Sequence, residues 1–243
     1  MRSFDGKRYW LVGASEGLGE ALARKMAGTG AHLILSARSE SRLNDLAADL
    51  SCPCDVRPLD VADDASVLSA VDTVGPVDGV VFLAGVYWPM SAVQWSREKA
   101  IWMADVNFTG CLRVLGSVVP SMVARNSGHI VITGSLAGFR GLPGSIGYAA
   151  SKAAVMSLAE CLYADLRTTG VVVQVVNPGF IQTRLTDKNH FRMPFILQPD
   201  DAAGRMLAHM RTDTFKVSFP RGFSWLFRLS QFMPDWMYYR LFS

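Results

Sequence analysis

The sequence predicts an α/β fold: a single domain built on a doubly wound parallel β-sheet flanked by helices. Short apolar runs alternate with longer amphipathic runs over roughly the first 180 residues, as expected when helices connect parallel strands. The apolar runs are rich in Val, Ile and Leu and lack polar alternation, which is typical of strands covered on both faces. No internal repeat or linker interrupts this pattern before residue 180.

Each predicted strand except the last leads into a helix. We expect strands at 8–13, 31–38, 54–61, 77–85, 129–135, 171–179 and near 215–219. We expect helices at 16–30, 40–50, 63–75, about 97–125, 148–170 and 200–211. Gly28 and Gly30 illustrate the stop signals that end these helices. Residues 1–220 are therefore predicted to form the domain, followed by a helical tail at 221–243.

Composition narrows the class of protein. The 243 residues suit one domain, and 50% hydrophobic with 19% charged residues excludes a disordered chain. The formal charge of +3 comes from scattered Lys and Arg, which does not favour nucleic acid as a partner. No apolar run reaches about 18 residues, so we expect no transmembrane helix. The N-terminal residues lack the apolar centre of a signal peptide, so we expect no secretory leader.

The cysteines show no metal or redox spacing. They are Cys52, Cys54, Cys111 and Cys161, and one residue separates the first two where a redox or zinc motif has two. We therefore expect reduced thiols, no metal site and a cytoplasmic protein, with a peripheral membrane location left open by the aromatic tail.

A glycine-rich turn follows the first predicted strand. GASEGLG places Gly13, Gly17 and Gly19 just before a helix. Glycines allow a tight turn and a close backbone approach, and the N–H groups of the helix N-terminus favour a phosphate. A plain strand-to-helix turn is the alternative, but the position at the first strand of an alternating chain favours a dinucleotide site.

Arg38 ends the second predicted strand, where an NAD-binding enzyme usually has Asp or Glu for the ribose hydroxyls. A guanidinium there can pair with a 2′-phosphate, so we expect NADP(H) as the cofactor. Glu16 in the glycine turn adds no positive charge. The alternative interpretation of Arg38 is a surface residue at the start of a helix.

Tyr148 and Lys152 lie four residues apart in GSIGYAASKAAV. On a helix such a pair shares one face, and an ammonium beside a phenol lowers the phenol pKa from its usual value of about 10. The pair would suit proton transfer near neutral pH. A chance pairing on a solvated face is the alternative.

Seven motifs, taken together, resemble the short-chain dehydrogenase/reductase family, which has a Rossmann-like fold. They are GASEGLG (13–19), LDV (59–61), LAG (83–85), NFTG (107–110), ITGS (132–135), YAASK (148–152) and NPGFIQT (177–183). They occur in the family's order over about 170 residues. Val12, Phe82 and Leu83 depart from the family pattern, which puts local hydrogen bonding in doubt more than chemistry.

The resemblance implies a catalytic role for each of four residues. Tyr148 would be the general acid in carbonyl reduction and the base in alcohol oxidation. Lys152 would lower the Tyr148 pKa and hold the nicotinamide ribose. Ser135 would orient the substrate oxygen, and Asn107 would hold a water that links Lys152 to solvent.

The cofactor-binding residues implied by the motifs and by Arg38 are more numerous. They are Gly13, Ser15, Glu16, Gly17, Leu18, Gly19, Arg38, Asp60, Val61, Ala84, Gly85, Tyr148, Lys152, Pro178, Gly179, Ile181 and Thr183.

Residues 180–199 are predicted to form a lid over the substrate. The segment is rich in apolar and aromatic side chains, so we expect a small hydrophobic, lipid-like carbonyl or alcohol substrate. Arg140, Arg184 and Arg192 leave recognition of an anionic group open.

The tail at 221–243 holds eight of the 25 aromatic residues. It is expected to pack on its own subunit, to lie across a partner, or to lie at a membrane interface with Arg228 and Arg240 near anionic lipid. The family resemblance also implies a homodimer or homotetramer, in which the helices at 97–125 and 148–168 meet their mates.

Two other functions compete with an oxidoreductase. A non-catalytic dinucleotide sensor or scaffold can share this fold. However, Asn107, Ser135, Tyr148 and Lys152 are all present, which favours an enzyme. An epimerase or dehydratase is disfavoured, because no large sugar-nucleotide domain follows the predicted sheet.

Overall fold

Seven parallel strands form one sheet. The computed structural model describes residues 1–189 and 191–242, so His190 of the predicted lid and Ser243 of the predicted tail lie outside the described residues. The strands are β1 (Arg8–Val12), β2 (His32–Ser36), β3 (Cys54–Val56), β4 (Gly79–Phe82), β5 (Gly128–Thr133), β6 (Val171–Pro178) and β7 (Lys216–Phe219). Their order is β3-β2-β1-β4-β5-β6-β7, with every adjacent pair parallel.

Helices cover both faces of the sheet, which confirms the doubly wound fold. They are α1 (Gly17–Ala27), α2 (Glu40–Asp49), α3 (Asp64–Val74), α4 (Arg97–Ala104), α5 (Gly110–Ala124), α6 (Ile146–Leu166), α7 (Pro199–Met210), α8 (Arg221–Ser230) and α9 (Asp235–Phe242). One core layer joins the sheet to α3, α5 and α6, and the other joins it to α1, α2 and α7. Polar groups that follow the strands therefore meet at the carboxyl edge of the sheet.

Two strands end earlier than the apolar runs predicted. The third ends at Val56 and not at residue 61, although the N–H groups of Arg57 and Leu59 still donate to the carbonyls of Leu35 and Ala37. The fourth ends at Phe82 and not at residue 85. The N–H groups of Leu83 and Ala84 both donate to the Val12 carbonyl, at 2.8 and 2.9 Å, so the chain leaves the ladder there.

The helix over Arg97–Ala124 is long and apolar enough to cross a membrane, judged by length and composition alone. A π-helical turn at Asp105–Thr109 joins its two α-helical parts. Val114, Val118 and other inward residues are buried against the sheet, as in the core helix of a folded domain. Ile101 and Leu112 remain exposed on its outer side, and the predicted dimer contact there stays a prediction.

The tail forms two helices that meet at Pro234, and its inner side packs on its own chain. The Arg140 guanidinium donates to the carbonyls of Ser230 and Met233, and it pairs with the Asp235 carboxylate at 2.5 Å. The Tyr238 hydroxyl donates to the Gly141 carbonyl at 2.8 Å. These bonds hold the tail against the loop that follows β5.

We expect Gly79→Ala to destabilise the fold. Gly79 lies opposite Tyr9 in the β1–β4 ladder, and an added Cβ would lie 2.2 Å from the buried Tyr9 ring. Overpacking of this kind costs about 1–3 kcal/mol, measured as the free energy of unfolding in urea. Gly116→Ala is the control, because nothing lies within 4 Å of an added Cβ there. In mid-helix it should stabilise by about 0.5–1 kcal/mol. Equal effects of the two changes would contradict the packing argument.

Candidate active site

A cleft of about 470 Å³ opens at the carboxyl edge of the sheet. All the residues predicted to bind the cofactor, except Gly19, line it. They are Gly13, Ser15, Glu16, Gly17, Leu18, Arg38, Asp60, Val61, Ala84, Gly85, Tyr148, Lys152, Pro178, Gly179, Ile181 and Thr183. Gly19 instead packs against the Gly13 carbonyl, where an added Cβ would lie 2.0 Å away.

The glycine turn between β1 and α1 forms the floor of the cleft. Gly13 has φ +100°, and an added Cβ would lie 2.4 Å from the Ala84 nitrogen. Gly17 has φ +58°, and an added Cβ would lie 2.9 Å from the Thr183 side chain. Because left-handed backbone and close contacts coincide, larger residues do not fit at either position. No side chain of the described residues caps the N-terminus of α1, so its N–H groups can bind an anion.

Three arginines and one glutamate surround the mouth of the cleft. The Glu16 carboxylate accepts from Arg42 at 2.9 Å and from Arg184 at 2.7 Å. Arg38 is exposed and forms no ion pair with the described residues. The mouth therefore has an excess of positive charge. Sequence reasoning missed Arg42, which lies in the first turn of α2, just after the connection from β2 that carries Arg38.

Tyr148 and Ser135 form the polar centre of the site. Ser135 follows the end of β5, and Tyr148 lies in the first turn of α6. Burial raises the Tyr148 pKa more strongly than the nearby Ser135 hydroxyl lowers it. The expected lowering of the Tyr148 pKa is therefore wrong for this structure, because desolvation of the phenolate outweighs the stabilising contacts.

Lys152 is buried one turn after Tyr148. Its Nζ lies 5.9 Å from the centre of the Tyr148 ring and donates to the Thr133 carbonyl at 2.8 Å. The pair thus shares a helix face, as predicted, but the ammonium is directed to the end of β5. Burial lowers the Lys152 pKa to about 8, because a buried ammonium is poorly solvated.

Asn107 lies in the π-helical turn and is fully buried. Its Oδ1 accepts from the Val86 N–H at 2.7 Å. Its Nδ2 donates to the Val86 carbonyl at 3.0 Å and to Ser151 Oγ at 2.9 Å. Asn107 therefore ties the loop after β4 to α6. Its implied role in holding a water stays a prediction.

The predicted lid at 180–199 lies closed over the loop after β4. Lys188 donates to the Tyr87 carbonyl at 2.7 Å, and the Tyr87 hydroxyl donates to Asn189 Oδ1 at 2.8 Å. The Tyr87 ring in turn meets the Tyr148 ring edge to face, with 5.0 Å between centroids. The predicted lid therefore contacts Tyr87 in the loop after β4, and Tyr87 in turn contacts Tyr148.

Comparison with known proteins identifies the family. A family model described as short chain dehydrogenase matches residues 7–192. An uncharacterized oxidoreductase of Myxococcus xanthus (strain DK1622) is 36% identical over 232 residues, which is 93% of this chain and 92% of the relative. The chain therefore belongs to the short-chain dehydrogenase/reductase family. It is an oxidoreductase that acts on CH–OH and C=O groups.

Two solved structures share the fold over most of the chain. The alcohol dehydrogenase from the archaeon Thermococcus sibiricus, complexed with 5-hydroxy-NADP, has a TM-score of 0.80 and 28% identity and covers 88% of this chain and 96% of its own. A short-chain dehydrogenase from Sphingobium yanoikuyae in complex with NADPH has a TM-score of 0.82 and 26% identity, with 88% of each chain covered.

We expect the buried Lys152 to make stability depend on pH. The unfolded chain keeps this proton up to about pH 10.5, whereas the folded chain releases it near pH 8. Stability should therefore rise with pH across this window, by about 3 kcal/mol at most. Urea unfolding at several pH values, compared with Lys152→Met, isolates the effect. A constant difference between the two proteins would show that Lys152 keeps its ordinary pKa.

Proposed function

We propose that this protein is an NADP(H)-dependent oxidoreductase that interconverts a carbonyl and a secondary alcohol on an apolar substrate, with Tyr148 as the general acid and base. One observation carries the proposal: Tyr148 and Lys152 both line the glycine-floored cleft from one face of α6, and the Ser135 hydroxyl lies near the Tyr148 phenol.

The residues of the cleft fit a nicotinamide dinucleotide. The glycine turn brings the uncapped N-terminus of α1 to the floor of the cleft, where its N–H groups can hold a pyrophosphate. Arg38 offers an unengaged guanidinium where the adenine ribose would lie, which supports a 2′-phosphate. The NADPH and 5-hydroxy-NADP in the two related structures agree with this choice.

The protein's own residues would bind the substrate oxygen and supply or remove its proton. When bound, the nicotinamide supplies or accepts the hydride. During reduction, the Tyr148 hydroxyl gives its proton to the oxygen that becomes an alcohol, and Ser135 donates a hydrogen bond to that oxygen. At pH 7, which is below the Lys152 pKa of about 8, Lys152 carries a positive charge one helical turn from the phenolate that would remain.

Aromatic side chains of the lid favour an apolar substrate. Phe180 meets Phe191 and Phe223 with centroid distances of 5.9 and 6.1 Å. Two of the three arginines considered for an anion have other partners: Arg140 holds the tail, and Arg184 pairs with Glu16. Arg192 forms no ion pair with the described residues. These engagements support a hydrophobic, lipid-like carbonyl or alcohol.

We expect Arg38→Ala to weaken NADPH binding selectively. Loss of a charge-assisted pair with the 2′-phosphate should raise the NADPH Kd by about tenfold and leave the NADH Kd unchanged. Titration calorimetry with both cofactors measures this, with exposed Arg167→Ala as the matched control. If wild type binds NADH as well as NADPH, the assignment of Arg38 is wrong.

We expect Tyr148→Phe to remove catalysis without removing the cofactor. The loss of the proton donor should lower kcat/KM for reduction of apolar ketones by about 10²–10⁴. NADPH consumption over a series of aliphatic and aromatic ketones measures the rate, and calorimetry confirms cofactor binding. Tyr163→Phe, on the same helix, is the control. Undiminished turnover in Tyr148→Phe, or a cofactor-bound wild type that reduces none of the ketones, would refute the proposal.

A further inference from the structure

The tail helices α8 and α9 have apolar residues on both of their sides. The inner side is packed: Phe227 and Tyr238 are buried against the domain. On the outer side, Trp225, Leu229, Phe232 and Trp236 are 58%, 57%, 86% and 71% exposed. A large exposed apolar patch marks an interaction surface.

The exposed surface of the tail continues onto the lid. The Phe223 ring of α8 lies 5.7 Å from the ring of Phe195, a lid residue that is 67% exposed. Leu226 follows Phe223 by one helical turn and is 46% exposed, so it extends the same stripe along α8. Tail and lid thus form one apolar surface beside the entrance to the active site. We call it the tail–lid surface.

Positive charge accompanies this surface. The tail contains Arg221, Arg228 and Arg240 but only one acidic residue, Asp235, whose carboxylate is already paired with Arg140. The guanidinium of Arg228 lies 5.7 Å from the centre of the exposed Trp225 ring. The predicted lid at 180–199 also contains more basic than acidic residues. The surface therefore suits a partner that is apolar inside and anionic at its boundary.

We propose that the tail–lid surface binds an anionic lipid bilayer. Tryptophan and tyrosine favour the boundary between headgroups and acyl chains, and arginines beside them meet anionic headgroups. A second copy of the chain fits less well. A two-fold contact would bring two sets of three tail arginines into one interface, while the tail's Asp235 is already paired with Arg140.

The bilayer contact also gives the active site a source of substrate. If the substrate is apolar, as the proposed function holds, it dissolves in the membrane and reaches the lid at the tail–lid surface. This consequence rests on the proposed function. The binding of the bilayer does not, and it can be measured with no substrate present.

Vesicle flotation with the full chain tests the proposal. The probes are vesicles of phosphatidylcholine alone and of phosphatidylcholine mixed with phosphatidylglycerol. Wild type should float with the mixed vesicles only, and added salt should release it because salt screens the arginines. The double variant Phe232→Ser/Trp236→Ser, and separately Arg221→Gln/Arg240→Gln, should each bind about tenfold more weakly.

Leu68→Ser is the control, since Leu68 is 53% exposed on α3, outside the tail–lid surface. It should bind vesicles as wild type does. Circular dichroism and urea unfolding show whether each variant is folded. The proposal is overturned if the wild type binds neither kind of vesicle, or if the tail variants float with the vesicles as the wild type does. If the tail variants instead lower the mass found by light scattering while vesicles have no effect, the surface is a contact between copies.

Discussion

The turn between β1 and α1 lies against the chain that leaves β4, and this contact determines how the cleft is built. The Val12 carbonyl accepts two N–H groups from the β4 side, which brings Ala84 next to Gly13. A side chain at position 13 would push the two segments apart. Because the contact is backbone against backbone, the space above it is left for a ligand, with the N-terminus of α1 directed into it.

The remaining groups of the site are placed by the same edge of the sheet. Ser135 follows β5, Asn107 reaches the loop after β4 from the π-helical turn, and Tyr148 starts α6. The three groups come from separate segments of the chain. Their common support is the parallel sheet, whose strands all end on one side. The polar groups of the site therefore lie together at the edge of the sheet, where the apolar core ends.

Much of this arrangement could be predicted from the sequence, because periodicity and motif order reflect local constraints. The order of strands and helices and the shared face of Tyr148 and Lys152 are examples. The spacing of residues in the sequence does not show how deeply each side chain is buried. The Tyr148 pKa was therefore predicted in the wrong direction, since desolvation depends on everything packed around the phenol.

Contacts between distant segments were also beyond sequence reasoning. Glu16 meets Arg184 only because the lid folds back over the glycine turn, across 168 positions of the chain. Arg140 was considered as a substrate ligand, yet it holds the tail helices, 90 or more residues later. Arginine side chains are long and flexible, so burial and geometry in the folded protein determine which of many acceptors each one binds.

The hydrogen bonds between the predicted lid and Tyr87 have a consequence for how this enzyme can evolve. Tyr87 is held at its hydroxyl by Asn189 and at its carbonyl by Lys188, while its ring forms a wall of the Tyr148 site. A substitution in the predicted lid therefore reaches the packing of Tyr148 through one intermediate ring. Under the proposed function, a lid change that admits a new substrate also alters the surroundings of the proposed acid, so substrate choice and acid strength would evolve together.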